Sequence, residues 1–301
     1  MDMLTLRSGV LWAMVASLAA CGPVIDPGAP DEVIFQQALA AYNARSYPEA
    51  QAKFDQLVAD YPLSPRHDNA SYLAGRCRYE QKDYPGAITT FTAARAAHPR
   101  SKQLDELDYF LGRSHFQLSA FDQALPEFKA SIAADPRGVF VDNAQYYVGR
   151  SHYELADYPN AKLELGKVET DYPSSSYLDN ARYYLGRSFF ALQDYAGAVG
   201  PFERVFETPN TIFGDNAGYY LGRSHYALQA LAPALAAFQN VVTNYPASVY
   251  VDNSLYYEVR IYADQGQCAD ANAALARLTA AFPGSTYVAS AQSYKVGKGC
   301  P

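Results

Sequence analysis

Apolar and polar positions follow one another at helical spacing through most of the chain, and the pattern has a fixed period. In residues 142–155 the apolar side chains recur three and four positions apart without a proline, which predicts a first helix. Asp157 then stands where an N-cap is needed, and Pro159 fits the first turn of a second helix. That helix is predicted to end near Asp171, because Pro173 disfavours helical geometry in the residue before it. The pattern therefore predicts a helical hairpin.

The hairpin returns along the chain, most visibly as a Gly-Arg dipeptide in the first helix. The dipeptide stands at Gly75-Arg76, Gly112-Arg113, Gly149-Arg150, Gly186-Arg187 and Gly222-Arg223, at intervals of 37, 37, 37 and 36 residues, and Val259-Arg260 continues the series. A fixed period of about 20–50 residues indicates a solenoid of stacked units. A second column, mainly of hydroxyl residues, is predicted to N-cap the first helices. Its members are Ser64, Ser101, Gly138, Ser175, Thr211, Ser248 and Ser285.

The shared positions resemble the tetratricopeptide repeat. That family has a small residue at the first helix crossing, an alanine at the second, a large apolar residue four positions later and a proline at the end. Gly75, Ala87, Phe91 and Pro99 occupy these positions in the second unit, and equivalent residues recur later. The period of 37 residues, rather than about 34, is similar to that of periplasmic lipoproteins of the Tol–Pal and β-barrel-assembly type. The resemblance implies an all-α, right-handed superhelical solenoid with seven repeats over residues 31–288 and a capping helix and tail over 286–301.

The N-terminus predicts a membrane anchor. Residues 1–20 have Arg7 followed by an apolar stretch too short to span a bilayer, as in a signal peptide. They end in Leu18-Ala19-Ala20 before Cys21, which resembles the lipobox of bacterial lipoproteins and implies acylation of Cys21. Residues 21–30 are predicted to be a flexible tether. Because Gly22 replaces the aspartate that retains lipoproteins at the inner membrane, we expect an outer-membrane protein that faces the periplasm. The alternative is an ordinary secretory leader.

Composition and motifs argue against catalysis and nucleic-acid binding. The net charge is −7 with 18% charged residues, so a strongly basic face is not expected. The chain has no phosphate-binding loop or nucleophile elbow, and we expect neither enzymatic activity nor a cofactor. His115, His152 and His225 share a column but lie too far apart along a solenoid to bind one metal.

A stripe of polar residues on the first helices is the candidate binding surface. Asn143, Tyr146, Arg150 and Tyr153 share one face, and the family resemblance places this face in a concave groove. The arginine column is Arg76, Arg113, Arg150, Arg187, Arg223 and Arg260; the tyrosine column is Tyr72, Tyr109, Tyr146, Tyr183, Tyr219 and Tyr256; the asparagine column is Asn69, Asn143, Asn180, Asn216 and Asn253. Arginine and asparagine donors suit an envelope protein or a peptide segment that carries carboxylates.

A structural role for the arginines is the alternative. Each one would then stack on a tyrosine of the adjacent unit and pair with an aspartate of the Asp-Asn column, such as Asp142 or Asp179. We expect mainly this structural role, with the exposed edges of the tyrosines and asparagines making most of the partner contacts. Membrane contact is expected only through the lipid anchor.

The remaining cysteines predict a closed C-terminal cap. Cys268 opens the last second helix and Cys300 follows the final helix, and antiparallel stacking places the two ends side by side. A disulfide is therefore predicted, because the periplasm is oxidising. Cys77 is predicted to be a buried free thiol in a column that otherwise contains Ser114, Ser151, Ser188 and Ser224; three free thiols are the alternative.

Two functions follow from the resemblance. The first is a scaffold for protein–protein interactions in cell-envelope organisation, similar to the Tol–Pal-associated periplasmic tetratricopeptide proteins, although the N-terminal coiled coil of that family is absent here. The alternative is an accessory lipoprotein of the outer-membrane β-barrel assembly machinery. An enzyme-accessory or peptidoglycan-binding role forms a third class.

Overall fold

The computed structural model describes residues 28–301, and this part of the chain consists of fifteen helices without a strand. The helices are α1 Pro30–Asn43, α2 Tyr47–Asp60, α3 His67–Glu80, α4 Tyr84–Ala97, α5 Leu104–Gln117, α6 Phe121–Ala134, α7 Val141–Glu154, α8 Tyr158–Asp171, α9 Leu178–Ala191, α10 Tyr195–Glu207, α11 Gly214–Ala227, α12 Leu231–Asn244, α13 Val251–Asp264, α14 Cys268–Ala281 and α15 Thr286–Gly297. Consecutive helices pack on one another as seven hairpins, and α15 packs on α13 and α14. The predicted solenoid is confirmed; the predicted signal peptide and Cys21 lie outside the described residues.

Close approach of the two helices in each hairpin depends on the glycine column. A Cβ built on Gly149 would lie 2.6 Å from the Leu165 Cγ and 2.9 Å from the Leu165 backbone nitrogen. Gly112 stands in the same relation to Phe128, and Gly75 to Phe91. These apolar partners are fully buried, so the glycine leaves room for a large side chain of the second helix where the two helices of the hairpin cross.

The second helices begin as the sequence predicts. The Asp157 side chain accepts a hydrogen bond from the Asn160 backbone N–H at the start of α8. Asp83 and Asp194 cap α4 and α10 in the same way. The aspartates therefore satisfy backbone donors that would otherwise have no partner at the helix start.

The first helices α3 to α13 begin three residues after the hydroxyl column rather than directly after it, so the predicted N-cap role of this column is wrong. The N-cap of α9 is Tyr177, whose N–H donates to the Ser175 Oγ at 3.1 Å. Ser175 thus forms a hydroxyl turn two residues before the cap, and within this column only Ser285 caps a helix with its own side chain. The hydroxyls also join units: Ser248 donates to Asp215 of the preceding unit at 2.7 Å, and Ser285 to Asp252 at 2.8 Å.

The turn inside each hairpin contains one residue with a left-handed backbone. The seven residues and their φ angles are Arg45 (60°), Lys82 (64°), Ser119 (59°), Ala156 (58°), Gln193 (59°), Gln229 (58°) and Gly266 (70°). Non-glycine residues avoid this region because their Cβ crowds the following carbonyl oxygen. The packing of the hairpin, rather than the residue type, therefore imposes this turn in the first six units.

A disulfide closes the C-terminal end. Cys268, at the start of α14, is bonded to the buried Cys300 after α15, with the two Cα atoms 5.0 Å apart. Cys77 in α3 is buried and free, and burial raises the pKa of its thiol to about 12. Within residues 28–301 no helix is both long and apolar enough to cross a membrane.

Candidate partner-binding surface

The arginine column lies on the first helices, directly after the glycines that face the second helices. Consecutive residues of a helix point about 100° apart, so the guanidinium groups leave the hairpin crossing and extend along the stack of units. The side chains of Arg76 and Arg150 are 17% and 22% exposed, so these two arginines are largely covered without being fully buried.

Each guanidinium contacts aromatic rings of adjacent units. Arg113 lies between Tyr79 of the preceding unit, at 5.7 Å from the ring centroid, and Tyr147 of the following unit, at 4.5 Å. The other contacts with an adjacent unit are Arg76 on Phe110 at 3.6 Å, Arg150 on Tyr184 at 3.5 Å, Arg187 on Tyr153 and Tyr220 at 5.7 and 4.4 Å, Arg223 on Phe190 at 4.8 Å, and Arg260 on Tyr226, and on Tyr294 of α15, at 4.9 and 4.4 Å. The guanidiniums thus join successive first helices by cation–π contacts.

Four of the stacked arginines, Arg76, Arg113, Arg150 and Arg187, also donate to the tyrosine one helical turn earlier. Arg113 Nη1 lies 2.8 Å from the Tyr109 Oη, and Arg187 Nη1 lies 2.8 Å from the Tyr183 Oη. Burial raises the pKa of Tyr109 to about 12, with Arg113 opposing the shift, so the phenol stays protonated at neutral pH. These bonds hold each guanidinium in one orientation.

The charges of the arginines are only partly neutralised. Arg76 pairs with Glu80 at 3.4 Å, and Arg150 pairs with Glu154 on its own helix. Across residues 28–301, none of the other four has a carboxylate at salt-bridge distance: Arg113, Arg187, Arg223 and Arg260. The expected pairing with the Asp-Asn column is wrong, because aspartates of that column accept hydrogen bonds from hydroxyl side chains of the next unit.

The tyrosine column is buried, which contradicts the expectation of exposed tyrosine edges. Tyr109 is 1% exposed and stacks on Phe140 with ring centroids 4.6 Å apart. Tyr183 on Phe213 and Tyr219 on Tyr250 repeat this stack at 4.5 and 4.4 Å. Tyr109, Tyr146, Tyr183 and Tyr219 are covered because an aromatic residue of the turn leading into the next unit packs over each ring. Of the column, Tyr256 near the C-terminal cap is half-buried.

The asparagine column contributes half-buried amides beside the tyrosine hydroxyls. Asn143 Nδ2 lies 3.5 Å from the Tyr109 Oη, and the Tyr183 Oη donates to the Asn216 Oδ1 at 3.3 Å. Asn69 accepts from the Gln103 side chain, and Asn180 and Asn253 are also half-buried. The polar side chains that keep some exposed surface for a partner are therefore the half-buried arginines and asparagines.

A further aromatic column supports the arginines, and only its member Tyr153 was singled out from the sequence. It includes Tyr79, Tyr153, Phe190 and Tyr226, which contact the arginine of the next unit. An aromatic residue recurs here at the same period as the Gly-Arg pair, which is the signal that could have identified it.

The histidine column does not form a metal site. His115, His152 and His225 lie on α5, α7 and α11, and His152 Nδ1 contacts Asp157 of its own turn at 2.9 Å. The described residues contain no group of three histidine, cysteine or acidic side chains that could hold a metal ion.

Comparisons with solved structures agree on the fold. The C-terminal part of a TPR repeat-containing protein from Cytophaga hutchinsonii superposes with a TM-score of 0.69 at 17% identity, over 85% of this chain and 98% of that chain. The apo form of RapI gives 0.66 at 14% identity, over 84% and 76% of the two chains. Naa15/Naa10 bound to HypK-THB gives 0.52 at 12% identity, over 89% and 39%. No curated protein sequence shows significant similarity to this chain.

Family models agree with the repeat boundaries. A tetratricopeptide repeat model matches residues 35–102, and a second one matches residues 143–175, 180–211, 216–248 and 253–285. Together these matches cover about two thirds of the chain, and each of the last four spans most of one hairpin and the turn after it. The chain belongs to the tetratricopeptide repeat family.

Proposed function

We propose that this protein is a non-enzymatic scaffold, anchored to the outer membrane by lipidated Cys21, which binds a carboxylate-bearing segment of an envelope protein along its arginine column. Tandem tetratricopeptide repeats suggest a scaffold for protein–protein interactions, and the fold is generally non-catalytic. Placement in the cell envelope, in a role like that of the Tol–Pal-associated proteins, is the finer part of the proposal.

The unpaired guanidiniums are the observation that carries the binding proposal. Arg113 and Arg187 are fixed by ring contacts on both sides and by a tyrosine hydroxyl, yet no carboxylate neutralises them in the described part of the chain. A fixed planar donor group loses little entropy when it pairs with a carboxylate. Because the units repeat, an extended partner would meet such donors at regular intervals.

The cysteines support the cellular location. The Cys268–Cys300 disulfide suits an oxidising compartment such as the periplasm. Leu18-Ala19-Ala20 before Cys21 fits a lipoprotein processing site. Mass spectrometry of the N-terminal peptide tests the anchor: we expect a chain that begins at Cys21 and contains acyl groups. In Cys21→Ser the protein should leave the membrane fraction; a variant that still sediments with bound lipid would contradict the anchor.

Capture of partners from detergent-solubilised membranes tests the binding role. We expect the tagged wild-type protein to retain an envelope protein, and the Arg150→Ala/Arg187→Ala variant to retain much less of it at equal folded protein. Lys162→Ala is a suitable control, because Lys162 lies on a second helix outside the arginine column. If the proteins recovered are mainly components of the β-barrel assembly machinery, the role of an accessory lipoprotein of that machinery replaces the Tol–Pal-like role. Equal recovery by both proteins would remove the arginine column from the proposal.

A further inference from the structure

The last residue of the first helix differs between units, although an arginine stands four positions earlier in six of them. We call this last residue the helix-end position. It lies one helical turn after the arginine, so the two side chains share a face of the helix. From the second unit to the seventh it is occupied by Glu80, Gln117, Glu154, Ala191, Ala227 and Asp264.

A glutamate at the helix-end position neutralises its arginine. Glu154 accepts hydrogen bonds from the Nε of Arg150, at 2.7 Å, and from its Nη2. The Oε1 of Glu80 lies 3.4 Å from the Nη2 of Arg76. The helix dipole opposes a carboxylate at the C-terminal end of a helix, so it is the arginine that makes this position favourable for glutamate. The second and fourth units thus supply the carboxylate that a partner would otherwise bring.

The third and seventh units have other residues at this position. Gln117 is uncharged and leaves its arginine without a carboxylate, but the units on both sides are self-neutralised. In the seventh unit, Asp264 accepts hydrogen bonds from the hydroxyls of Tyr226 and Tyr294, at 2.6 and 2.7 Å, and pairs with Lys298. A partner carboxylate at the arginine of that unit would therefore lie one helical turn from a negative charge.

The fifth and sixth units have alanine at the helix-end position. Ala191 and Ala227 are exposed and end α9 and α11. The only carboxylates of these two helices, Asp179 and Asp215, stand in the first turn. Each aspartate precedes the arginine of its helix by eight residues, which is about 12 Å along the helix axis. The end of the helix that presents the arginine is therefore free of negative charge on α9 and α11.

The other carboxylates of these two units lie on or beside α10. Asp194 caps this helix, and Glu203 and Glu207 lie within it. In the part of the chain that the structure describes, none of them is at salt-bridge distance from Arg187 or Arg223. Two consecutive units thus present guanidiniums whose charge is not paired.

Arg187 and Arg223 also lie on either side of one aromatic ring. The guanidinium carbon of Arg187 is 4.4 Å from the centroid of Tyr220, and that of Arg223 is 5.8 Å from the same centroid. Among residues 28–301, no other two arginines of the column contact a common ring. A single short segment can therefore reach both guanidiniums.

We propose that the helix-end position decides which arginines of the column are open to a partner, and that Ala191 and Ala227 leave Arg187 and Arg223 as a paired site for two carboxylates of an extended acidic segment. Packed helices lie about 8–10 Å apart and an extended chain advances about 3.3 Å per residue, so the two acidic residues are about three positions apart. This inference rests on the proposed function, because it assumes that the arginine column is the surface that binds the partner.

Fluorescence anisotropy with a labelled synthetic peptide tests the paired site on the full-length protein. The probe is a glycine–serine peptide with two glutamates three positions apart, and the control peptide has glutamines in their place. Low salt keeps the charge attraction from being screened. We expect the glutamate peptide to bind about tenfold more tightly than the glutamine peptide, because each carboxylate gains a charge-assisted hydrogen bond.

Exchanges at the helix-end position test which units are open. Ala191→Glu gives Arg187 the carboxylate that Glu154 gives to Arg150, and should weaken binding of the glutamate peptide about tenfold. Ala191→Gln is the matched neutral variant, since Gln117 occupies the equivalent position, and should stay within about twofold of the wild type.

Two further variants complete the comparison. Ala236→Glu adds the same negative charge at an exposed position of α12, outside the arginine column, and should also stay within about twofold. Glu154→Ala is the reverse exchange, which frees Arg150 beside Arg187. A peptide with a third glutamate at the same spacing should then bind about tenfold more tightly to this variant than to the wild type.

The outcomes separate this inference from the proposed scaffold. Equal binding of the glutamate and glutamine peptides overturns the inference, as does an equal loss of binding in Ala191→Glu and Ala236→Glu. Capture of the envelope protein by Ala191→Glu/Ala227→Glu, together with its loss in Arg150→Ala/Arg187→Ala, also overturns the inference while the scaffold stands. If the wild type captures no envelope protein, the proposed function fails, and the peptide titration decides the inference by itself.

Discussion

At the scale of single residues, two glycines in neighbouring helices have opposite surroundings. The missing side chain of Gly149 leaves room for Leu165, whose backbone nitrogen would lie 2.9 Å from an added Cβ. Gly166 lies in the interior of α8, and a Cβ there would meet nothing within 4 Å. The same substitution should therefore have opposite effects at these two positions.

We expect Gly149→Ala to reduce the free energy of unfolding by about 1–3 kcal/mol, because backbone cannot move aside as a flexible side chain can. Gly166→Ala should increase it by roughly 0.5–1 kcal/mol, since alanine restricts the unfolded chain. Chemical denaturation of both variants measures the difference. Unchanged stability of Gly149→Ala would contradict the close crossing there, and a loss in Gly166→Ala would contradict the open space around Gly166.

Asp108 makes stability depend on pH. Its buried carboxyl lies 3.0 Å from Arg95, and burial raises its pKa to about 6, with Arg95 opposing the shift. Since the folded pKa exceeds the ordinary value of 3.8, the protonated form favours folding. This contribution is present in full below about pH 4 and is lost as the pH rises through 6.

Asp108→Asn should therefore gain stability relative to the wild type as the pH rises from about 4 to 6, by up to roughly 3 kcal/mol. The difference between the two proteins isolates this carboxyl from others, such as Glu32, whose pKa is lowered by its hydrogen bond to Arg66. Denaturation of both proteins at several pH values provides the measurement. A difference that does not change with pH would show that Arg95 fully offsets the burial.

At the scale of elements, the C-terminal helix depends on its cross-link. The disulfide closes a segment of 32 residues that includes α14 and α15, and α15 otherwise packs mainly on the last hairpin. If α15 unfolds together with the rest of the chain, Cys300→Ser should lower the free energy of unfolding by about 3–4 kcal/mol. The reason is that the disulfide restrains the unfolded chain by closing a loop. Hydrogen exchange should increase first in α15.

Cys77→Ser is the matched control for the cross-link. Cys77 is a buried free thiol in a column where Ser114, Ser151, Ser188 and Ser224 occupy the equivalent site, and the hydroxyls of Ser114, Ser188 and Ser224 donate to the carbonyl one turn earlier. Serine can make the same bond in α3, so the variant should remain close to wild type. A marked loss in Cys77→Ser would contradict the equivalence of this site with the serine column, and an unchanged Cys300→Ser would mean that the cross-link contributes little.

The arginine contacts join elements of three successive units. Arg187→Ala removes contacts with Tyr153 and Tyr220 and the bond to Tyr183, and should reduce stability by about 1–3 kcal/mol. Arg187→Lys keeps the charge without the planar group and should recover only part of this loss. Thermal unfolding ranks the three proteins. If lysine restored stability completely, charge rather than stacking would account for the contact.

At the scale of the whole molecule, the repeat period made the architecture predictable from the sequence. It did not predict the burial of the tyrosine column. The columns of Gly149 and Ala161 fix how the two helices of one unit cross, and both columns lie within the same unit. The burial of Tyr146 depends on Tyr177 of the next unit, which stacks on it at 4.8 Å. A helical stripe that is free in one hairpin is therefore covered in the stack. The hydroxyl turn at Ser175 was missed because its sequence also suits an N-cap.

The left-handed residue in each hairpin turn has a consequence for engineering the chain. Six of the seven turns have a non-glycine residue at this position. Glycine there would relieve roughly 1 kcal/mol of steric strain, but it would also increase the conformational entropy of the unfolded chain, which offsets part of that gain. Substitutions that share no partners add nearly independently, so glycines at Lys82, Ala156 and Gln229 would form a graded series rather than a single step. Each step would change the free energy of unfolding of its own unit by less than about 1 kcal/mol. Backbone strain could in this way be removed one repeat at a time, without altering the arginine column.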